Sequence, residues 1–117
     1  MIASPASSPA SSPAVHAVLF RGLADASRLA CLLAVRDGSK TVGEIVAATR
    51  LSQPNTSKHL ACLRECGLVR AQRDGRHIRY EIADPAVVWL LDASEELLAR
   101  IGESVAACPT YGRRQQP

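Results

Sequence analysis

The chain of 117 residues is 47% hydrophobic but only 3% aromatic, which leaves room for one domain with a modest core of Leu, Val, Ile and Ala and favours helices. No run approaches the roughly 20 apolar residues of a membrane span. The net charge of +3 is unevenly spread: Lys58, Arg64, Arg70, Arg73, Arg76 and Arg79 are opposed only by Glu65 and Asp74, whereas Asp84, Asp92, Glu95, Glu96 and Glu103 are opposed only by Arg100, so one segment is built to meet a polyanion and the next is not.

Met1 to Pro13 is an uncharged Ala/Ser/Pro tract with neither the basic nor the apolar region of a signal peptide. It reads as a disordered tail or an over-extended translation start. A cytoplasmic protein is therefore expected, with its four cysteines reduced and serving metal binding, redox sensing or burial rather than a disulfide framework.

The folded domain is expected over residues 14 to 108. Ala14 to Leu23 forms a first helix, and Ala24-Asp25-Ala26-Ser27 breaks it and caps a second, Arg28 to Val35, ended by Asp37-Gly38. Cys31, in the apolar run Leu29-Ala30-Cys31-Leu32-Leu33, reads as a core residue. Thr41-Val42-Gly43-Glu44 has the form of a capping box and opens a short third helix to about Thr49. After the turn Arg50-Leu51-Ser52, Ser52 caps a fourth helix that carries Pro54 in its first turn and stops at Gly67.

Two helices joined by so short a turn make a helix-turn-helix pattern. Leu68 to Arg73 and His77 to Ile82 then alternate like strands around the tight turn Asp74-Gly75. A basic hairpin after a helix-turn-helix is a winged helix. Asp84 and Pro85 open a last helix, whose Val87, Leu91, Ser94, Leu98, Ile101 and Val105 form a seam that wants a partner helix. The expected class is therefore mainly α with a β-hairpin wing, a winged helix-turn-helix that forms a homodimer through its terminal helices. Residues 109 to 117 are expected to be a flexible tail.

At about 100° per residue, Thr56, Leu60, Leu63 and Gly67 share the core face of the fourth helix, opposite Pro54, Ser57, Lys58 and Ala61. The opposite face is expected to enter the major groove of double-stranded DNA, with Gln53 and Asn55 toward base edges and Ser57, Lys58 and His59 toward bases or phosphate. Thr56 carries two assignments, core by its wheel position and DNA contact by its place in the first turns. In the wing, Arg73, Arg76 and Arg79, with His77 beside them, suit phosphates or an adjacent minor groove.

Cys62 and Cys66 fall about 40° apart on the same wheel, at the border of the core and DNA faces, with His59 beside Cys66. Thiolates at i and i+4 can share a soft metal ion. Cys108 continues the seam of the last helix before Pro109 stops it, so a third thiolate from this segment, of the same or the other subunit, would complete a three-sulfur site. Sulfur-only coordination selects Cd(II), Pb(II), Cu(I) or As(III) over Mg(II) and Mn(II). His59 is favoured as a DNA or solvent contact over a fourth ligand. A redox switch is a rival reading of the pair, disfavoured because i,i+4 Cβ vectors do not converge for an unstrained disulfide. A DNA-binding module with structural cysteines and no inducer is another. No C-x-x-C, glycine-rich phosphate loop or Ser/His/Asp pattern points to an enzyme.

Leu23-Ala24-Asp25-x-x-Arg28, Leu51-Ser52-Gln53-x-x-x-Ser57-x-His59-Leu60-x-x-Leu63-x-x-x-Gly67-Leu68-Val69 and Arg73-x-Gly75-Arg76-x-x-x-Tyr80 together resemble the ArsR/SmtB family of bacterial metal-responsive repressors over residues 14 to 107. The resemblance implies a homodimeric winged-helix repressor that occupies operator DNA without metal and releases it when metal binds. The C-x-x-x-C of the recognition helix with a cysteine after the last helix is similar to the cadmium- and lead-sensing subgroup. That likeness implies Cys62, Cys66 and Cys108 as ligands and Cd(II) or Pb(II) as inducer, with As(III) as the alternative and no organic cofactor. Two other metal sites of the family have no counterpart. Val42-Gly43-Glu44-Ile45 stands where a C-x-C would lie in the third helix, and residues 85 to 107 contain no His.

Overall fold

The computed structural model describes residues 12–112, in the order α1 (Pro13–Leu23), α2 (Ala26–Ala34), β1 (Lys40–Thr41), α3 (Val42–Thr49), α4 (Gln53–Glu65), β2 (Val69–Asp74), β3 (His77–Ile82) and α5 (Pro85–Ala106). Each helix starts where the sequence supplies an oxygen acceptor for a free amide. Ser12 accepts from the Val15 N–H, Asp25 from Arg28, Ser52 from Asn55 and Asp84 from Ala86. At α3 the capping box closes in both directions, Thr41 Oγ1 accepting from the Glu44 N–H at 3.2 Å and Glu44 Oε1 from the Thr41 N–H at 2.9 Å. The Thr41 N–H bonded to the Glu44 carboxyl also holds it below its ordinary pKa, and the Thr41 hydroxyl and the Arg79 guanidinium add to the effect.

The helix-turn-helix is α3, the turn and α4. Arg50 ends α3 in a left-handed conformation, φ 63°, which redirects the chain toward the Ser52 cap. The wing is the β2–β3 hairpin, paired from Val69 with Ile82 to Asp74 with His77. Gly75 supplies the positive φ, 61°, of its turn. β1 was not expected from the sequence, since two residues carry no alternation. It pairs Lys40 with Tyr80 and Thr41 with Arg79, making a three-stranded antiparallel sheet in the order β1-β3-β2.

The core lies where α2, α3, α4 and the base of the wing meet. Leu32 and Val35, Ile45, Leu60 and Leu63, and Leu68 and Val69 are buried there, joined by Val87 and Leu91 from the first two turns of α5. The terminal helices are otherwise open. No residue of α1 is buried, although Leu19 and Leu23 lean on the core, and Val18, Phe20, Leu97, Leu98, Ile101 and Val105 are exposed.

Three expectations change at the edges. Pro13 belongs to α1, because Ser12 provides the cap and proline suits the first helical position. α5 ends at Ala106 with Ala107 as its cap, so Cys108 lies past the helix rather than on its seam; a residue before proline is driven out of helical geometry. Residues 109–112 form a turn, closed by the Gly112 N–H donating to the Cys108 carbonyl at 2.9 Å. The rest of the two expected tails, 1–11 and 113–117, lies outside the described residues.

Leu60 is fully buried between these elements. Leu60→Ala is expected to lower unfolding free energy by about 2–5 kcal/mol in urea titration at fixed protein concentration; a loss below about 1 kcal/mol would show that α4 is not a core helix.

Candidate nucleic-acid interface and cysteine site

The sequence of α4 divides its surface in three. Thr56, His59, Leu60 and Leu63 are buried, whereas Gln53, Asn55, Ser57, Lys58 and Ala61 are exposed. The side chains at 57, 58 and 61 follow from helical periodicity on the face away from the core. With the N-terminal Gln53 and Asn55 they form a polar, sterically open surface of the size that fits a major groove.

Two residues counted among the DNA contacts lie inside. Thr56 is fully buried, and its hydroxyl donates to the Ser52 carbonyl at 2.9 Å, so it braces the first turn. His59 is 7% exposed, too enclosed for a base or phosphate. Its Nε2 lies 3.9 Å from Asp25 Oδ1 and its Nδ1 is buried with no partner among the described residues. The missed signal was Asp25, whose position as N-cap of α2 turns its carboxylate toward α4. The Arg28 N–H bonded to Asp25 holds that carboxyl below its usual pKa, and His59 adds to the effect.

The wing arginines also separate. Arg73, Arg76 and His77 are exposed around the Gly75 turn. Arg79 instead points back into the fold. Its Nε donates to Ser39 Oγ at 3.0 Å and an Nη to the Ser39 carbonyl at 2.9 Å, with Glu44 Oε1 3.4 Å away. Because β3 is the central strand, a long side chain near its middle reaches the chain leading into β1 and α3. Arg79 therefore ties the wing to the helix-turn-helix and is not free at the hairpin tip. Arg70 is similarly paired across the hairpin with Glu81 at 3.0 Å.

Cys62 and Cys66 are brought together. Cys62 is half-buried and Cys66, the C-cap of α4, is exposed. The two thiols adjoin; partial burial pushes the Cys66 thiol up, and the neighbouring Cys62 adds to that. On its other side Cys66 Sγ meets the end of α1, where a Cβ built at Gly22 would stand 3.8 Å away. Cys31 is fully buried in the core, and burial raises its pKa, leaving an inert apolar thiol. Cys108 has the opposite environment. Backbone N–H groups of the following turn, Tyr111 first and then Thr110 and Gly112, hold its thiol below the ordinary range.

The structure does not bring Cys108 to the pair within one chain. Among the described residues, no three His, Cys, Asp or Glu side chains gather into a group that could hold a metal ion. One protomer offers two adjacent soft donors on α4 and a third at the far end of α5. The pair fits a thiophilic ion in chemistry and falls short of it in number, since three sulfurs need a second chain or a movement of α5.

Residues 25–71, from the α2 cap to the first strand of the wing, match the model of the bacterial regulatory protein, arsR family. A probable mercury resistance operon repressor of Streptomyces lividans is 40% identical over 89 residues, 76% of this chain and 71% of that protein. The chain belongs to the ArsR family. The transcriptional regulator CmtR of Mycobacterium tuberculosis is 47% identical over 66 residues, 56% of each chain, so the match spans just over half the length of that relative. Among solved structures, M. tuberculosis Rv0081 superposes with a TM-score of 0.73 at 32% identity, covering 82% of this chain and 99% of that one. The cadmium metal-sensor CMTR superposes with a TM-score of 0.58 at 43% identity, over 66% of this chain and 80% of that one. This ArsR-family chain is thus a winged-helix transcriptional regulator rather than an enzyme, and none of its described helices is long and apolar enough to cross a membrane.

The thiol environments have a consequence in solution. A depressed pKa favours the reactive thiolate at neutral pH and a raised one suppresses it. Iodoacetamide at neutral pH is expected to label Cys108 first and Cys66 more slowly, with Cys31 protected until unfolding. Peptide mass spectrometry of timed samples checks the order, and the gap between Cys108 and Cys66 should narrow as pH rises toward 9.

Proposed function

We propose that this regulator is a homodimeric, metal-responsive repressor in the cytoplasm, holding operator DNA when metal-free and releasing it when a thiophilic ion, Cd(II) or Pb(II), is bound by Cys62, Cys66 and Cys108. The observation that carries the reading is the adjoining pair of thiols on the recognition helix itself, at the border between its buried and exposed faces. The likeness to a cadmium sensor supports the metal class, and the relative named for mercury resistance keeps it among soft cations.

The dimer follows from the open apolar face of α1 and α5. Leu98, Ile101 and Val105 recur at helical spacing along α5, and a second copy of the same face would cover them. In such a dimer the partner's end of α5 delivers Cys108 to the pair on α4. The three thiolates then supply the soft, anionic sulfur set that such ions prefer. A cross-link between the recognition helix and the dimerising helix restricts how the two recognition helices of the dimer sit in successive major grooves. A coupling of about 1–3 kcal/mol, or about 5–150-fold in affinity, is the ordinary scale of such an effect.

On the DNA side, Gln53, Asn55, Ser57 and Lys58 are the surface that reads the groove. Arg73 and Arg76 of the wing hold phosphates outside it. The chain's own residues therefore divide the work between orientation by the wing and discrimination by α4.

Two measurements test this. With a duplex selected by the protein from a randomised pool, Cys62→Ser and Cys66→Ser are expected to bind DNA like the wild type but to stay bound at Cd(II) concentrations that release it, and to lose the thiolate charge-transfer absorption on Cd(II) addition. Release of both variants at the wild-type concentration would remove the pair from the mechanism. Arg76→Ala is expected to weaken binding to all duplexes alike and to reduce the slope of log affinity against log salt by about 1; an unchanged slope would take the wing tip off the phosphates.

A further inference from the structure

Arg50, at the end of α3, is the only non-glycine residue with a positive φ among the described residues, at φ 63° and ψ 16°. In that region a side chain crowds the backbone, and glycine is the usual occupant of such a helix end. The conformation is fixed by the neighbours of the arginine. The Arg50 N–H donates to the Val46 carbonyl at 2.7 Å, and the Thr49 hydroxyl, itself donating to the Ile45 carbonyl at 2.8 Å, accepts from the Leu51 N–H at 3.3 Å. Ile45 is fully buried and Leu51 packs against the core. The turn therefore keeps its shape whatever stands at position 50, and glycine would keep it with less strain.

Nothing inside the fold uses this arginine. It is exposed, and its guanidinium has no acidic partner among the described residues. Two residues further on, Ser52 caps α4, and the exposed Gln53 and Asn55 begin that helix. Pairing of two chains through α1 and α5 leaves this turn open. α3 packs on α2, α4 and the sheet, whereas α1 packs on α2 and α5 on β3. α4 is 13 residues long, about 20 Å, and α1 meets it at the far end, beside Cys66.

We infer that Arg50 is a DNA-binding residue that holds a backbone phosphate at the edge of the major groove, on the side of α4 away from the wing. The inference rests on the docking of α4 in the groove and not on the metal response. β1 stitches the wing to the start of α3, and Arg50 stands at the other end of that 8-residue helix, about 12 Å away. The major groove is also about 12 Å wide. With the first turns of α4 in the groove, the wing meets the backbone on one side and Arg50 meets it on the other. A guanidinium can hold a phosphate through two N–H groups, and a turn already fixed by hydrogen bonds presents it with less ordering than a loose loop would need. The contact adds affinity and orientation without base preference.

The test measures binding of metal-free protein to the selected duplex and to an unrelated one over a range of salt, together with urea unfolding, for Arg50→Gly, Arg50→Gln, Arg50→Lys and Lys58→Ala. Arg50→Gly is expected to unfold at the same or a higher urea concentration than the wild type, yet to bind both duplexes more weakly. Its slope of log affinity against log salt should be shallower by about 0.9 for each Arg50 in contact. Arg50→Gln, which removes the charge and keeps the strain, should show the same loss of slope, and Arg50→Lys should keep the wild-type slope. A wild-type slope in both Arg50→Gly and Arg50→Gln overturns the contact. So does a loss confined to the selected duplex, which would make Arg50 a reader of bases. A lower urea midpoint for Arg50→Gly would overturn the claim that the fold does not need the arginine, and Arg50→Gln then decides the contact. If the Arg50 variants bind like the wild type while Lys58→Ala is weakened, only the Arg50 contact is lost. If Lys58→Ala also binds like the wild type, the docking of α4 falls with it.

Discussion

The burial of Leu60 and Leu63 against α2 and α3 is the constraint on which the rest depends. A helix turns about 100° per residue, so fixing two side chains in the core fixes the direction of every other side chain on α4. Ser57, Lys58 and Ala61 are thereby turned outward, and Cys62 and Cys66 are set at the margin. Thr56 and His59 are drawn inside by the same rotation. The exposed face of α4 and the thiol pair are therefore placed by one packing event.

The body around that helix is stiffened by polar contacts at places where hydrophobic packing is thin. Arg79 joins the central strand of the wing to Ser39 and Glu44, while the Thr41–Glu44 capping box sets the start of α3. Asp25 caps α2 and faces His59 of α4. The Arg28 guanidinium reaches the Gly22 carbonyl at 3.1 Å, fastening the end of α1 beside Cys66. By contrast α5 leaves the body after two core residues and one ion pair, Arg36 with Asp92. Within one chain, the polar braces thus gather on the helix-turn-helix and wing, and α5 contributes to the core only through its first two turns.

The two candidate sites were legible to different depths. The exposed residues of α4 follow from periodicity, and the thiol pair from its spacing, because both are properties of a single helix. His59 was misjudged because its wheel position lies at the edge of the core face, and only the arrival of Asp25 from α2 decides on which side it falls. Arg79 alternates as expected along β3, but its partners come from a two-residue strand and a loop that carry no pattern. Cys108 lay close enough to the seam to be read as its continuation, yet Pro109 ends the helix before it and the following turn surrounds its sulfur with backbone N–H groups.

What the sequence by itself determined was the local grammar: five capped helices, a hairpin at Asp74-Gly75, an apolar stripe on each core-facing element, and two thiols one helical turn apart. Those features depend on neighbours within a few residues, where backbone geometry alone sets the outcome. The tertiary structure decided which polar side chains are spent inside the fold, notably Thr56, His59, Arg36 and Arg79, and that the third thiol stands apart from the pair in a single chain. Those outcomes depend on contacts between elements distant in sequence, and a side chain at the edge of a face has no preferred side until its neighbour is packed against it.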